Sequence, residues 1–149
     1  MIGYEVPLID TNVLVFAHDE KSPKNAVAKD LLEKALNGDI KAVVAQQNLL
    51  EFVSVITNPK KVSETASLEE ALRELDKYLS SELFVISPNE RTILVTKALL
   101  RLQSLTGRRV FDVYLAATMI SNGLNTIYTD NEKDFTIFKE IKVINPFKS

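Results

Sequence analysis

At 149 residues, with 46% hydrophobic side chains and no cysteine, the chain is long enough to bury one core as a single domain spanning 1–149, and both a disulfide scaffold and a thiolate site are excluded. The formal net charge of -2 neither marks nor excludes a nucleic-acid partner, because phosphate binding depends on where the basic residues lie. Met1-Ile2-Gly3-Tyr4-Glu5 lacks the basic stretch and apolar core of a leader, and no apolar run approaches the ~18 residues of a membrane span, so a soluble cytoplasmic protein is expected.

Short apolar runs alternate with amphipathic stretches, without repeats or a linker, which predicts one α/β domain. The first run, Val6–Ile9, reads as a strand that ends on Asp10, with Thr11 and Asn12 able to cap a helix. A carboxylate there needs a partner, because an isolated buried charge is too costly to keep. Ser22-Pro23 and Asn37-Gly38 bracket a helix from about Lys24 to Leu36, with Val27, Ala28, Leu31, Leu32 and Ala35 expected inward. A second strand, Ala42–Ala45, leads into a helix at Gln46–Ile56 that carries Glu51 and stops at Asn58-Pro59. Ser67-Leu68-Glu69-Glu70 is a capping-box pattern. It opens a helix whose Leu68, Leu72, Leu75 and Leu79 draw an apolar stripe, expected to be core or a helical hairpin, with a dimer surface as the alternative.

The third strand is Leu83–Ile86. Ser87-Pro88-Asn89-Glu90 repeats the cap-plus-proline signature before a helix that runs through Leu105 and is stopped by Thr106-Gly107. Phe111–Ser121 reads as a small-residue helix with Asp112 in its first turn, closed by Asn122-Gly123. Thr126–Tyr128 and Lys142–Ile144 complete the strands, and Thr129-Asp130-Asn131 forms the turn between them, with Asp134 just beyond. All five strands are apolar without strict alternation, as expected of parallel strands covered on both faces.

In such a sheet the carboxyl ends of the strands share one edge, and ligands gather where the strand order reverses. Asp10, Glu51, Asp112 and the Asp130/Asn131/Asp134 cluster are all placed to reach that edge. If three or four carboxylates meet within about 5 Å, each pair repels by roughly 3 kcal/mol at an effective dielectric near 20. A hard cation such as Mg²⁺ or Mn²⁺, which prefers oxygen ligands, resolves that repulsion at neutral pH. With His18 the sole histidine and no cysteine, a zinc site is disfavoured. An acidic pocket holding Mg²⁺ suits a phosphodiester, because the ion acidifies water and stabilises phosphoryl charge. Lys60-Lys61 and Arg108-Arg109 both read as solvated surface, and Arg108 and Arg109, just before Asp112, are also candidate phosphate contacts. Asn12 and Thr129 are expected to orient carboxylates through hydrogen bonds.

Each acid also has a plainer reading. Asp10 can be a helix cap, Glu51 a surface glutamate, Asp112 a partner of the helix dipole, and His18 a packed side chain.

The segments Asp10-Thr11-Asn12-Val13-Leu14, Gln47-Asn48-Leu49-Leu50-Glu51-Phe52, Phe111-Asp112-Val113-Tyr114-Leu115-Ala116-Ala117-Thr118 and Thr129-Asp130-Asn131-Glu132-Lys133-Asp134-Phe135 resemble, in order, the four motifs of the PIN-domain nuclease family. The length and the closing Val143-Ile144-Asn145-Pro146-Phe147 are similar to its single-domain VapC-like toxins. The resemblance implies a three-layer sandwich, with a five-stranded parallel sheet between helices, and a metal-dependent endoribonuclease site at the strand ends. It assigns Asp10 and Asp112 to Mg²⁺ and Glu51 to the second-motif acid. At the fourth motif the family carries an acid or an asparagine two residues after the threonine; Asn131 stands there, so Asp130, Asn131 and Asp134 all remain candidates. The resemblance further implies an RNA substrate, an antitoxin protein seated over the site, and a homodimer. Two alternatives stand beside it. One is a phosphatase with Asp10 as nucleophile, disfavoured because Asn12 stands where a haloacid-dehalogenase-like site wants a second acid. The other is a non-catalytic PIN-like module that binds RNA or a protein.

Overall fold

Five three-residue strands pair in parallel: β1 (Pro7–Ile9), β2 (Val43–Ala45), β3 (Phe84–Ile86), β4 (Thr126–Tyr128) and β5 (Lys142–Ile144), in the spatial order β3-β2-β1-β4-β5. A computed structural model describes residues 5–148, so the reading of Met1 to Tyr4 lies outside the described residues. Every expected strand is present to within one residue. Pro7 opens β1, a position in a central strand where its missing N–H is tolerated.

Alternation along the strands sorts the core into two layers. Ile9 and Val44 face one side, against Leu14 of α1 (Thr11–His18), Leu32 of α2 (Asn25–Asn37), Phe52 of α3 (Gln46–Ile56) and Tyr78 of α4 (Leu68–Leu79). Leu8, Val43 and Ile127 face the other, against Leu99 of α5 (Thr92–Gln103), Val113 and Met119 of α6 (Arg109–Ser121), and Phe135 of α7 (Glu132–Phe135). Among the described residues no helix is long and apolar enough to cross a membrane.

Local signals explain some of the helix ends. Ser67 Oγ accepts from Glu70 N while Glu70 Oε1 accepts from Ser67 N, the expected capping box. Gly38 takes the left-handed conformation (φ 81°) that closes α2.

Several expectations change. Asp10 itself, not Thr11 or Asn12, is the N-cap of α1. In α5 the stop comes at Ser104, which adopts the left-handed conformation (φ 53°), rather than at Thr106-Gly107. Asn89 Oδ1 accepts from Arg91 N just ahead of that helix, in place of a Ser87 cap. Helix α6 begins two residues before Phe111, because the turn Val110 N to Gly107 O already winds the chain. In α2 Ala28, Leu32 and Ala35 are buried and half-buried Leu31 packs beside them; of the expected inward set Val27 is exposed, at the margin of that face. Of the leucine stripe of α4 only Leu75 reaches the core. Leu68, Leu72 and Leu79 are exposed, and the helix docks through Ala71, half-buried Leu75 and Tyr78, which share one face.

Candidate metal centre

The sheet reverses its strand order around β1: the chain builds β2 and β3 on one side of it and returns to lay β4 and β5 on the other. The carboxyl ends of β1 and β4 therefore flank a crevice at the switch point. Asp10 follows β1 and Thr129 follows β4, and the ladder continues one bond further through Asp10 N to Tyr128 O at 3.0 Å.

Asp10 is 7% exposed, and four donors converge on its carboxylate. Thr11 N (2.8 Å) and Asn48 Nδ2 (3.3 Å) reach Oδ1, while Thr129 Oγ1 (2.7 Å) and Asn12 Nδ2 (3.2 Å) reach Oδ2. Asn12 also donates to Thr129 Oγ1 and accepts from Asp130 N, so one amide staples the two strand ends. This is the orienting role expected of Asn12 and Thr129. Asn48 was not anticipated. It is fully buried, its Oδ1 takes Ala45 N, and its Nδ2 reaches both Asp10 and Thr11. Its only signal is an amide three residues past the end of β2, a place where an asparagine is usually read as a cap.

A cleft of about 270 Å³ opens above Asp10, and Glu51, Asp112, Asn131 and Asp134 share its wall. Asp112 reaches it from the first turn of α6, and Glu51 from the middle of α3. Burial pushes the Asp10 carboxyl up to about 6; hydrogen bonds from Thr129 and Thr11 oppose this, and the charges of Asp112 and Asp134 add to it. Desolvation likewise raises Glu51, against a contact from Gln47 and with help from Asp10 and Asp112. It raises Asp112 too, with Asp134 adding and Arg109 and Arg108 opposing. The four acids thus feel one another.

They do not close as tightly as the sequence suggested. Among the described residues no three acidic or imidazole side chains stand together as ready ligands of one ion. The physical reason is Arg109, whose Nε donates to Asp112 Oδ2 at 2.9 Å and lies 4.0 Å from Asp134 Oδ1 while its terminal nitrogen bonds the Asp134 carbonyl at 3.1 Å. A guanidinium supplies part of the compensation expected of a cation. Of the two arginines proposed for phosphate contact, Arg109 therefore serves the acids.

Asp130 is not brought to the cleft. It turns outward to Lys24 and Asn145, and these contacts hold its carboxyl below the usual range, the Lys24 bond first. Lys24 lies over the rings of Phe16 and Phe147, 5.1 and 5.5 Å from their centroids. Of the fourth-motif candidates, Asn131 and Asp134 face the cleft. His18 packs edge-on against Phe52 at 5.8 Å, away from the acids.

The cleft's side chains offer a metal only oxygen ligands, which suits a hard cation that keeps several waters and takes only one or two carboxylates. The Gln47 amide oxygen is buried in the same wall with no hydrogen-bond partner among the described residues, an acceptor such a hydrated ion can use. These residues fit Mg²⁺ or Mn²⁺.

The model of the PIN domain matches residues 8–142. By sequence the chain is 27% identical to VapC ribonuclease Mb2897 of Mycobacterium bovis, over 93% of both chains. It is 28% identical to Ribonuclease VapC24 of Mycobacterium tuberculosis, over 95% of this chain and 97% of that one. Among solved structures it resembles VapBC2 from Rickettsia felis, bound to a DNA fragment from their promoter, with a TM-score of 0.67 and 19% identity over 94% of this chain and 98% of that one.

Proposed function

The chain belongs to the PIN-domain family, and from that premise we propose that it is a metal-dependent endoribonuclease and the toxin half of a toxin–antitoxin pair. The observation that carries this reading is the gathering of Asp10, Glu51, Asp112 and Asp134 in one cleft at the sheet's switch point. Relatives matched along nearly their whole length are named ribonucleases, which supports RNA as the substrate. Divalent metal, RNA, an antitoxin over the cleft, pairing into a homodimer and a cytoplasmic address belong to the same proposal.

Asp10 and Asp112 would hold Mg²⁺ or Mn²⁺, and Glu51 and Asp134, which line the same cleft, would accept hydrogen bonds from its waters. The ion supplies Lewis acidity at the phosphoryl oxygens and acidified water for hydrolysis. Thr129, Asn12 and Asn48 keep Asp10 aimed into the cleft through hydrogen bonds that only accept-type oxygens satisfy. Arg109 holds Asp112 in place and limits acid repulsion before the ion enters. The reaction consumes one water, breaks one P–O bond and leaves one phosphate end and one hydroxyl end.

Purified protein is expected to cut RNA with Mg²⁺ or Mn²⁺, to stop in EDTA, and to fall to background as Asp10→Asn while its circular dichroism is unchanged. Undiminished cleavage by that folded variant would overturn the role of Asp10. Intact RNA at every metal concentration, together with saturable RNA binding, would favour the non-catalytic module.

A further inference from the structure

We propose that Phe111 and Arg108 form a nucleotide subsite beside the acid cleft, in which an unpaired RNA base stacks on the Phe111 ring and a neighbouring phosphate meets the Arg108 guanidinium. The proposal rests on the ribonuclease reading and adds to it where the substrate strand lies. Next to the cleft is an open groove of about 600 Å³ that shares Gln47, Glu51, Asp112 and Asp134 with it and adds Arg108, Arg109 and Phe111. Phe111 is 64% exposed. Single exposed apolar side chains are ordinary, so exposure alone decides nothing. Position does: this is the one aromatic lining a groove otherwise built of charged and amide groups, and it is the chain neighbour of Asp112.

The ring is carried on a fixed base. It stands in the first turn of α6, its backbone N–H donates to Arg108 O at 3.2 Å, and its carbonyl accepts from Gln47 Nε2 at 3.1 Å. An aromatic held this way stacks a base with little ordering cost, and it does so whatever the base, since every base has a π-face. The two arginines divide the electrostatic work. Arg109 is engaged with Asp112 and Asp134, whereas Arg108 is exposed and makes no ion pair among the described residues, though it is near enough to lower the Asp112 carboxyl. A phosphate approaching four carboxylates needs a cation at the groove, and of the two arginines that line it Arg108 is the one not already paired with an acid. An unpaired strand is the ligand this geometry takes, because a base inside a helix has no free face to offer.

The chain has no tryptophan, so Phe111→Trp introduces a single indole at the proposed platform, excited selectively over the tyrosines. Titrated in EDTA at low salt with a short single-stranded RNA, its fluorescence is expected to be quenched, and an abasic oligonucleotide of the same length is expected to leave it unchanged. In steady-state cleavage, Phe111→Ala is expected to raise KM about 5- to 100-fold with kcat nearly constant, and Phe111→Tyr to restore it. Arg108→Gln is expected to reduce the salt slope of log KM by about one. Absence of quenching, equal quenching by the abasic strand, or an unchanged KM in Phe111→Ala overturns the subsite. So does a blue-shifted emission that grows with protein concentration without RNA, which would mean a second copy covers the ring. Cleavage by the wild type without quenching in Phe111→Trp rejects the subsite and leaves the nuclease. Base-dependent quenching in a protein that never cuts RNA keeps the subsite and rejects the nuclease.

Discussion

Asp10 joins two demands that pull its proton in opposite directions. Four donors favour the carboxylate, while burial and the neighbouring acids favour the neutral form, and burial prevails by raising the group to about 6. With the folded value above the ordinary 3.8, stability linked to the neutral form is complete below pH 3.8 and is lost as pH rises through 6. The loss amounts to about 3 kcal/mol by pH 8. Glu51 and Asp112 act in the same direction, and Asp130, held low by Lys24, acts only at more acid pH. Urea unfolding in EDTA is therefore expected to show lower stability at pH 8 than at pH 5, with much of the slope gone in Asp10→Asn. Mg²⁺, which binds the ionised form, is expected to recover more stability at pH 8 than at pH 5. A flat profile in the wild type would mean that the acids are not coupled to folding.

At the scale of elements, the turn after β4 is held from outside the cleft. Asn145 donates to Asp130 Oδ1 at 3.2 Å and to Glu132 Oε2 at 3.1 Å, and accepts from Phe147 N at 2.9 Å. Phe147 in turn meets Phe16 edge-on at 5.3 Å, beside Lys24. Asn145→Ala is expected to cost about 1–2 kcal/mol and to speed amide exchange across residues 130–134 while the β1–β4 amides stay protected. Uniform loss of protection would show that the tail supports the whole sheet instead.

Much of this architecture was legible in the chain. Apolar runs closed by turn residues gave all five strands, and an acid or threonine directly after a strand marked the two ends that matter. What local pattern could not reveal are contacts between distant residues. Lys24 and Asp130 are 106 positions apart, and only the folded chain shows that their pairing takes Asp130 out of the cleft. The α4 stripe misled because the buried face runs through Ala71, Leu75 and Tyr78, so that of the four leucines only Leu75 packs inward. Helix α7, four residues long, is too short to carry a period. Asn48 hides among helix residues whose spacing predicts nothing about an amide.

Considered whole, the molecule has no strand hairpin among its described residues: each pairing is parallel, so each joins stretches separated by a crossover. The bond from Thr129 to Asp10 spans 119 positions, a long loop to close before any reward is collected. At about 5–20 residues per second of translation, the interval between the emergence of these two residues is on the order of 6–24 s. With cleavage resting on Asp10 as proposed, a polypeptide still attached to the ribosome is expected to leave the RNA around it uncut for most of its synthesis. Chains stalled at Gly123 are expected to be protease-sensitive and inert, and those extended past Ile144 and clear of the exit tunnel to be resistant; early resistance would mean that the first half matures unaided.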